Sequence, residues 1–307
     1  MLKIIKPIII VSLIVFALTI GASILAQENT NSDRSDVTAD EQITAQDLEV
    51  SNPNLLPDNP FYFLKEWTRK IRSALTFNET KKTDLENTFA NEKLLELRKM
   101  AKNGMASDKI QKATENYQKA IEKVKNAADK IKDKAENNSE VNKFLEKFTN
   151  QQILHEKILE KLETQVPEQA LEKIKEAREQ HLEKFKDVMT KLENNKDKIA
   201  ERIKNALQNG DEGNSEILDR INEKMPNDIK QKIENIKESV REKVNNKLIE
   251  KATEKNESKN CPVITKPAPD FCKQGKIKVE RDDKGCVIKF KCVEITSEKT
   301  NTTNTQQ

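Results

Sequence analysis

His155 and His181 are the two histidines of the 307-residue chain. Histidine is the side chain whose ordinary pKa brings proton exchange and metal ligation within reach near neutrality. His155 lies seven residues after Phe148 and three before Ile158, and His181 lies seven after Ile174 and four before Phe185. Both therefore fall on apolar stripes at helical spacing. Pro167 stands between them, 12 residues from one and 14 from the other. If the two helices fold back as a hairpin, each ring stands about 20 Å from the turn at 1.5 Å per residue, so the rings could face each other, although the sequence leaves open whether they meet. A facing pair could bind a metal or act as a proton-sensitive switch. The plainer reading makes each a boundary residue, hydrogen-bonded to a nearby carboxylate or carbonyl.

Recognised catalytic patterns are missing around them. HEKIL at 155–159 lacks the second histidine of the H-E-x-x-H zinc motif, and Gln152 and Arg178 stand where a di-iron bundle would need glutamate. The chain contains no G-x-S-x-G, phosphate-loop or dinucleotide glycine pattern. The expectation is a protein that is not an enzyme and carries no cofactor.

The second reactive set is Cys261, Cys272, Cys286 and Cys292, all the cysteines of the chain. An even, clustered count in an exported protein favours disulfides. KIKVE and CVIKFKC alternate with period two around RDDKG, which predicts a β-hairpin with Cys286, Ile288, Phe290 and Cys292 on one face. On one extended strand Cys286 and Cys292 would stand about 20 Å apart at ~3.3 Å per residue. A bridge tolerates about 7 Å between Cα atoms. Each must therefore pair with Cys261 or Cys272, in an order the sequence leaves open.

The elements that carry these residues follow from composition and punctuation. With 35% charged residues, 35% apolar residues and six glycines, the chain has the make-up of long amphipathic helices. The net charge of +3 gives no case for nucleic acid. Lys3 and Lys6 precede a charge-free run from Pro7 to Ala26. That pattern predicts a signal peptide or membrane anchor over 1–26, with export of everything after it. Residues 27–54 are acidic and without periodicity, and are read as a disordered linker. A helical domain is expected over 55–195, further helices or coiled coil over 196–256, a Cys-rich β module over 257–294 and a disordered tail over 295–307. Breaks are expected at Asn59-Pro60, Asn103-Gly104, Asn137-Asn138, Pro167, NGDEGN and Met225-Pro226. The fold class is mainly α, built of elongated helical hairpins or a bundle with coiled-coil character, plus a small disulfide-stapled β-hairpin at the C-terminus. The apolar stripes are narrow, a pattern that serves intramolecular hairpins and oligomers alike.

LPDNPFYFLKEW, residues 56–67, is the chemical outlier. Five of the 13 aromatic residues, Phe61, Tyr62, Phe63, Trp67 and Phe77, fall within 17 positions. Leu64, Trp67, Ile71 and Leu75 then repeat at spacings of three and four. The expectation is that Phe61, Tyr62, Phe63, Trp67 and Ile71 supply the bulk that closes one end of the core. Truncating a buried ring there would cost about 3–5 kcal/mol. The alternative is an interaction surface at a membrane or partner. Leu56, Pro57, Asp58, Pro60, Tyr62, Leu64 and Lys65, followed by Trp67, Ile71 and the stop at Gly104, resemble the L-P-D-x-P-x-Y-x-L-K pattern of domain of unknown function 5667. The resemblance is specific over about residues 50–105 and looser up to about 195. It implies an all-helical extracytoplasmic domain and assigns no activity. The functional expectation is an envelope binding or scaffolding protein whose partner is an unidentified envelope protein or polymer, with membrane attachment through the N-terminus. The alternative is an extracytoplasmic metal- or pH-responsive sensor, or chaperone-like protein, using His155 and His181.

Overall fold

The structure is a computed structural model and describes residues 43–207, 214–258, 261–268, 271–272 and 275–294. The export segment, residues 27–42 of the linker, and the tail lie outside the described residues. Eight α-helices occur among those described: α1 (Tyr62–Leu75), α2 (Glu79–Lys102), α3 (Ser107–Ile131), α4 (Ser139–Gln165), α5 (Glu168–Leu192), α6 (Lys196–Leu207), α7 (Asn214–Lys224) and α8 (Asn227–Ser258). A short 3₁₀ turn, Lys132–Lys134, follows α3.

The punctuation has physical causes. Asn78 caps α2 by accepting the Lys81 N–H, and Asn138 caps α4 by accepting the N–H groups of Glu140 and Val141. Gly104 ends α2 with φ +63°, a left-handed conformation that costs a side chain dearly. Asn59 behaves differently from expectation. Its Oδ1 takes the Phe61 N–H in a preceding turn, so α1 opens at Tyr62.

Helices α2, α3, α5 and α4 pack in that order around a closed four-helix ring made of two antiparallel hairpins. Phe144 stacks on Phe148 at 5.4 Å, and Phe148 meets Phe185 of α5 at 5.9 Å. Helix α8 lies on α6 and α7, which pack on α4 and α5 respectively. One continuous apolar core runs from Ala45 to Val240, so the expected boundary at residue 195 is no break in packing. Among the described residues no helix is long and apolar enough to cross a membrane.

The linker expectation needs correction over its last dozen residues. Ala45 and Leu48 are buried in the core, and Ile43 and Pro53 offer their carbonyls to Arg98 and Lys99 of α2. Local turn bonds between Thr44 and Asp47 hold this segment, so its acids obscured a short apolar anchor.

Strands β1 (Gly275–Arg281) and β2 (Val287–Glu294) pair antiparallel. The bridges are Cys261–Cys286 and Cys272–Cys292, with Cα separations of 5.6 and 5.3 Å. They resolve the pairing that the sequence left open. The hairpin is docked on α8: Asn245 accepts the Ile277 N–H and donates to the carbonyls of Cys272 and Gly275, and Asn256 accepts the Val287 N–H. One register expectation fails. The pairing passes from Glu280↔Lys289 to Arg281↔Val287, skipping Ile288, so Ile288 is exposed and Val287 is buried.

Candidate functional site

Two constellations bring together the chemistry-bearing residues, one inside the ring and one on its surface. Inside, the histidines do face each other, with ring centroids 5.6 Å apart, and both are buried. Polar side chains of α2, α3, α4 and α5 surround them. His155 Nε2 lies 2.7 Å from Asn91 Oδ1. Asn91 spends its own amide N–H on the Leu48 carbonyl at 2.9 Å. The Asn91 oxygen must therefore accept, which puts the proton on His155 Nε2. Nδ1 then accepts from the Tyr117 hydroxyl at 3.0 Å. Both ring nitrogens are engaged, leaving His155 no lone pair for a metal. Burial holds His155 well below the ordinary histidine range. Burial, and then Glu156, pushes the Tyr117 hydroxyl up.

A similar chain of amides fixes His181. Gln151 donates to the Leu48 carbonyl, Asn87 to Gln151, Gln152 to Asn87, and each step leaves an oxygen facing the next donor. The chain ends on Gln152 Oε1, 3.0 Å from His181 Nε2, which must donate. His181 Nδ1 consequently points at Glu156 Oε2 across 3.6 Å, too far for a hydrogen bond. Neither of these buried atoms has another partner. Glu156 uses its other oxygen for Arg178 and Arg220, each at 2.7 Å. Burial alone would raise the Glu156 carboxyl; the guanidinium groups of Arg178 and Arg220 hold it below the ordinary range. Among the described residues no group of three or more His, Cys, Asp or Glu is placed to hold a metal ion.

On the surface, α1 is an amphipathic helix turned inside out. Tyr62, Lys65, Glu66, Arg69 and Ser73 face α2, where Glu86, Glu92, Lys93 and Glu96 receive them. Arg69 is only 5% exposed. Its Nη2 lies 2.5 Å from Glu92 and 2.7 Å from Glu96, and Nη1 bonds Glu66 and the Tyr62 hydroxyl. Burial opposes the charge on Glu66, but hydrogen bonds from Lys93 and Arg69 overcome it and hold that carboxyl at about 2. Burial lowers Lys93, and burial followed by Glu96 pushes the Tyr62 hydroxyl well up.

The apolar side of α1 points away from the protein. Phe63, Leu64, Trp67, Ile71 and Leu75 span one arc of the helix at 100° per residue. All five are exposed, Trp67 by 62% and Leu75 by 65%. Phe61 before the helix and Phe77 after it, the latter 86% exposed, extend the patch. The packing expectation is thus overturned for Phe61, Phe63, Trp67 and Ile71; Tyr62 alone of that set is buried. The physical reason lies on α2, which presents charge toward α1 and so selects its polar face. Sequence reasoning missed Arg69, Glu92, Lys93 and Glu96. Their signal was the match of charged positions on two successive helices.

The family model of a domain of unknown function, DUF5667, matches residues 54–169. That span takes in α1, α2, α3 and α4 and stops as α5 begins, although α5 closes the ring and carries His181. No curated protein and no solved structure matches the chain.

Proposed function

We propose from the geometry that this is a non-enzymatic binding protein of the cell envelope, which docks α1 on an anionic lipid surface. One observation carries the reading: buried ion pairs clamp the polar side of α1 to α2 while its aromatic arc faces outward. Contiguous exposed apolar surface rimmed by charge marks interaction sites, and Trp and Phe suit the headgroup boundary. Lys70 and Lys112 flank the groove beside Trp67 and supply the charge complementarity, worth about 1 kcal/mol per cation near an anionic leaflet. Two disulfides accord with an oxidising compartment. The apolar run of residues 7–26, read as an export signal or anchor, would bring the chain to a bilayer.

Trp67 is the sole tryptophan, so its fluorescence reports this face directly. Anionic vesicles should shift its emission to the blue, neutral vesicles should do so weakly, and Ile71→Ser with Leu75→Ser should abolish the shift. A shift that depends on protein concentration without vesicles would instead identify a second copy as the occupant. No shift in either condition would sink the reading.

A proton-responsive role is the second reading, favoured by the partnerless pair His181 Nδ1 and Glu156 Oε2. Protonation there would turn two opposed acceptors into a charge-assisted hydrogen bond. His155, Arg178, Arg220 and, through His155, Tyr117 are the other titratable or charged groups facing the pair. If acidification from pH 8 to 5 changes hydrogen exchange of α4 and α5 identically in wild type and His181→Gln, this second reading fails.

A further inference from the structure

A cleft of about 450 Å³ lies between α1 and α3 and is lined also by α2. Its charges fall into two groups. The first belongs to the buried network that clamps α1. There Lys65, Arg69 and Lys93 meet Glu66, Glu92 and Glu96, three cations against three carboxylates, so that network neutralises itself. The second group is Lys70 of α1, Lys82 of α2, and Lys119 and Lys123 of α3. None of these four has an ion pair or a side-chain hydrogen bond among the described residues. Apart from Glu66, the lining holds one carboxylate, Glu86, which accepts from the Ser73 hydroxyl at 2.5 Å. Four lysines against Glu86 leave an excess of three positive charges.

The acids of α3 do not remove that excess. Glu122, between Lys119 and Lys123, is taken by Lys184 at 2.6 Å. Glu115, one turn before Lys119, makes no ion pair with it among the described residues. Lys119 and Lys123 are themselves one turn apart, and like charges at that spacing repel. An anion held between them relieves the repulsion.

The cleft is continuous with the apolar side of α1. Lys70 and Asn116 line both this cleft and the groove that holds Phe63, Leu64 and Trp67. At 100° per residue, Lys70 stands between the inward line of Arg69 and Ser73 and the outward line of Trp67 and Ile71. The excess of cations therefore begins where the apolar arc ends.

We propose, resting on the reading of α1 as a lipid-docking helix, that this cleft receives the phosphomonoester headgroup of a lipid. Lys70, Lys119 and Lys123 hold the phosphate while the acyl chains lie along the apolar arc. A phosphomonoester carries roughly −1.5 to −2 charge and three acceptor oxygens, a match for three ammonium groups. A phosphodiester headgroup carries a single charge and leaves most of the excess unmet. Ammonium groups act as point charges toward phosphate, so three of them on two helices need share no planar geometry.

The test uses the full chain and phosphatidylcholine vesicles doped with either phosphatidate or phosphatidylglycerol, matched in surface charge, with Trp67 emission as the readout. Wild type should bind the phosphatidate vesicles at least about tenfold more tightly, the scale expected when more than one additional cation is engaged. Lys119→Gln with Lys123→Gln, both at exposed positions, should abolish that preference. The blue shift on phosphatidylglycerol should persist in this variant and show that it is folded. Lys132→Gln with Lys134→Gln, on the 3₁₀ turn, should keep the preference. Glycerol 3-phosphate in solution should compete only in large excess. Competition at equimolar concentration would identify a free phosphomonoester as the ligand and overturn the lipid assignment. Equal binding of the two vesicles by wild type, or a preference that survives loss of Lys119 and Lys123, would overturn the proposal and leave docking by α1 standing. No shift with either vesicle would overturn both.

Discussion

Helices α1 and α3 are both strongly amphipathic, yet they face opposite ways. Helix α3 buries Ile110, Ala113, Tyr117, Ile121, Val124, Ala128 and Ile131 in the ring. Helix α1 buries Tyr62 and Arg69 and leaves Trp67, Ile71 and Leu75 outside. Period alone establishes that a helix has two faces; the surface it meets decides which one turns inward. Opposite α3 stand apolar residues of α2 and α5 such as Leu94, Leu97 and Phe185. Opposite α1 stand Glu86, Glu92, Lys93 and Glu96. The same grammar thus yields core in one case and an outward-facing surface in the other.

The largest expected effects attack the two interiors being compared. Phe148→Ala removes a buried ring wedged between Phe144 and Phe185 and should cost about 3–5 kcal/mol in urea unfolding. Arg69→Met should cost a similar ~3–5 kcal/mol, because it leaves the carboxylates of Glu66, Glu92 and Glu96 without their shared cation. Hydrogen exchange should show its damage concentrated in α1. If Arg69→Met melts like wild type, the ion pairs do not set the orientation of α1. Acid offers an independent route to the same end. Glu66 has its carboxyl lowered from 4.5 to about 2, so its contribution is complete above 4.5 and is lost as pH falls through 2.

Much of the α3-like part of the molecule was legible in the sequence. Gly104, Asn138 and Pro167 fall at helix ends because each solves a backbone problem locally, and local problems can be read locally. The similar heights of His155 and His181 were legible for the same reason, since one proline fixed the turn and helical rise fixed the height; that the rings meet, 5.6 Å apart, was decided by the packing. The width of the core was not. Asn87, Asn91, Gln151, Gln152 and Glu156 are buried, yet a hydrophobicity pattern scores them as surface, so the stripes looked narrower than the packed faces are. Their burial depends on partners 64 or 65 residues away, as between Asn87 and Gln151 or Gln152, which no local window contains. The inversion of α1 was hidden likewise, since Arg69 finds Glu92 and Glu96 only after α2 has turned back.

A middle-sized effect separates the polar layer from the apolar core around it. His155 is held neutral when folded, and its pKa lies below the unfolded value of 6.5. The unfolded chain therefore binds the extra proton first, and the contribution of this site is full above pH 6.5 and erodes as pH falls. The loss grows by at most about 1.36 kcal/mol per pH unit for this one proton. Urea midpoints at pH 7.5 and 5 measure it, and His155→Gln should flatten this part of the dependence. An unchanged dependence would mean that acid acts elsewhere in the fold.

The smallest stability effect is the most telling about α1. Trp67→Ala and Leu75→Ala remove large apolar groups that touch chiefly water, so each should shift unfolding by no more than about 0.5 kcal/mol. The same truncation in α3, at Ile121 or Ile131, should cost about 2–5 kcal/mol. A wild-type melt for Leu75→Ala together with weakened vesicle binding would separate the face used for docking from the face used for folding. A cost near that of the α3 variants would mean that the apolar arc of α1 is covered by the protein itself.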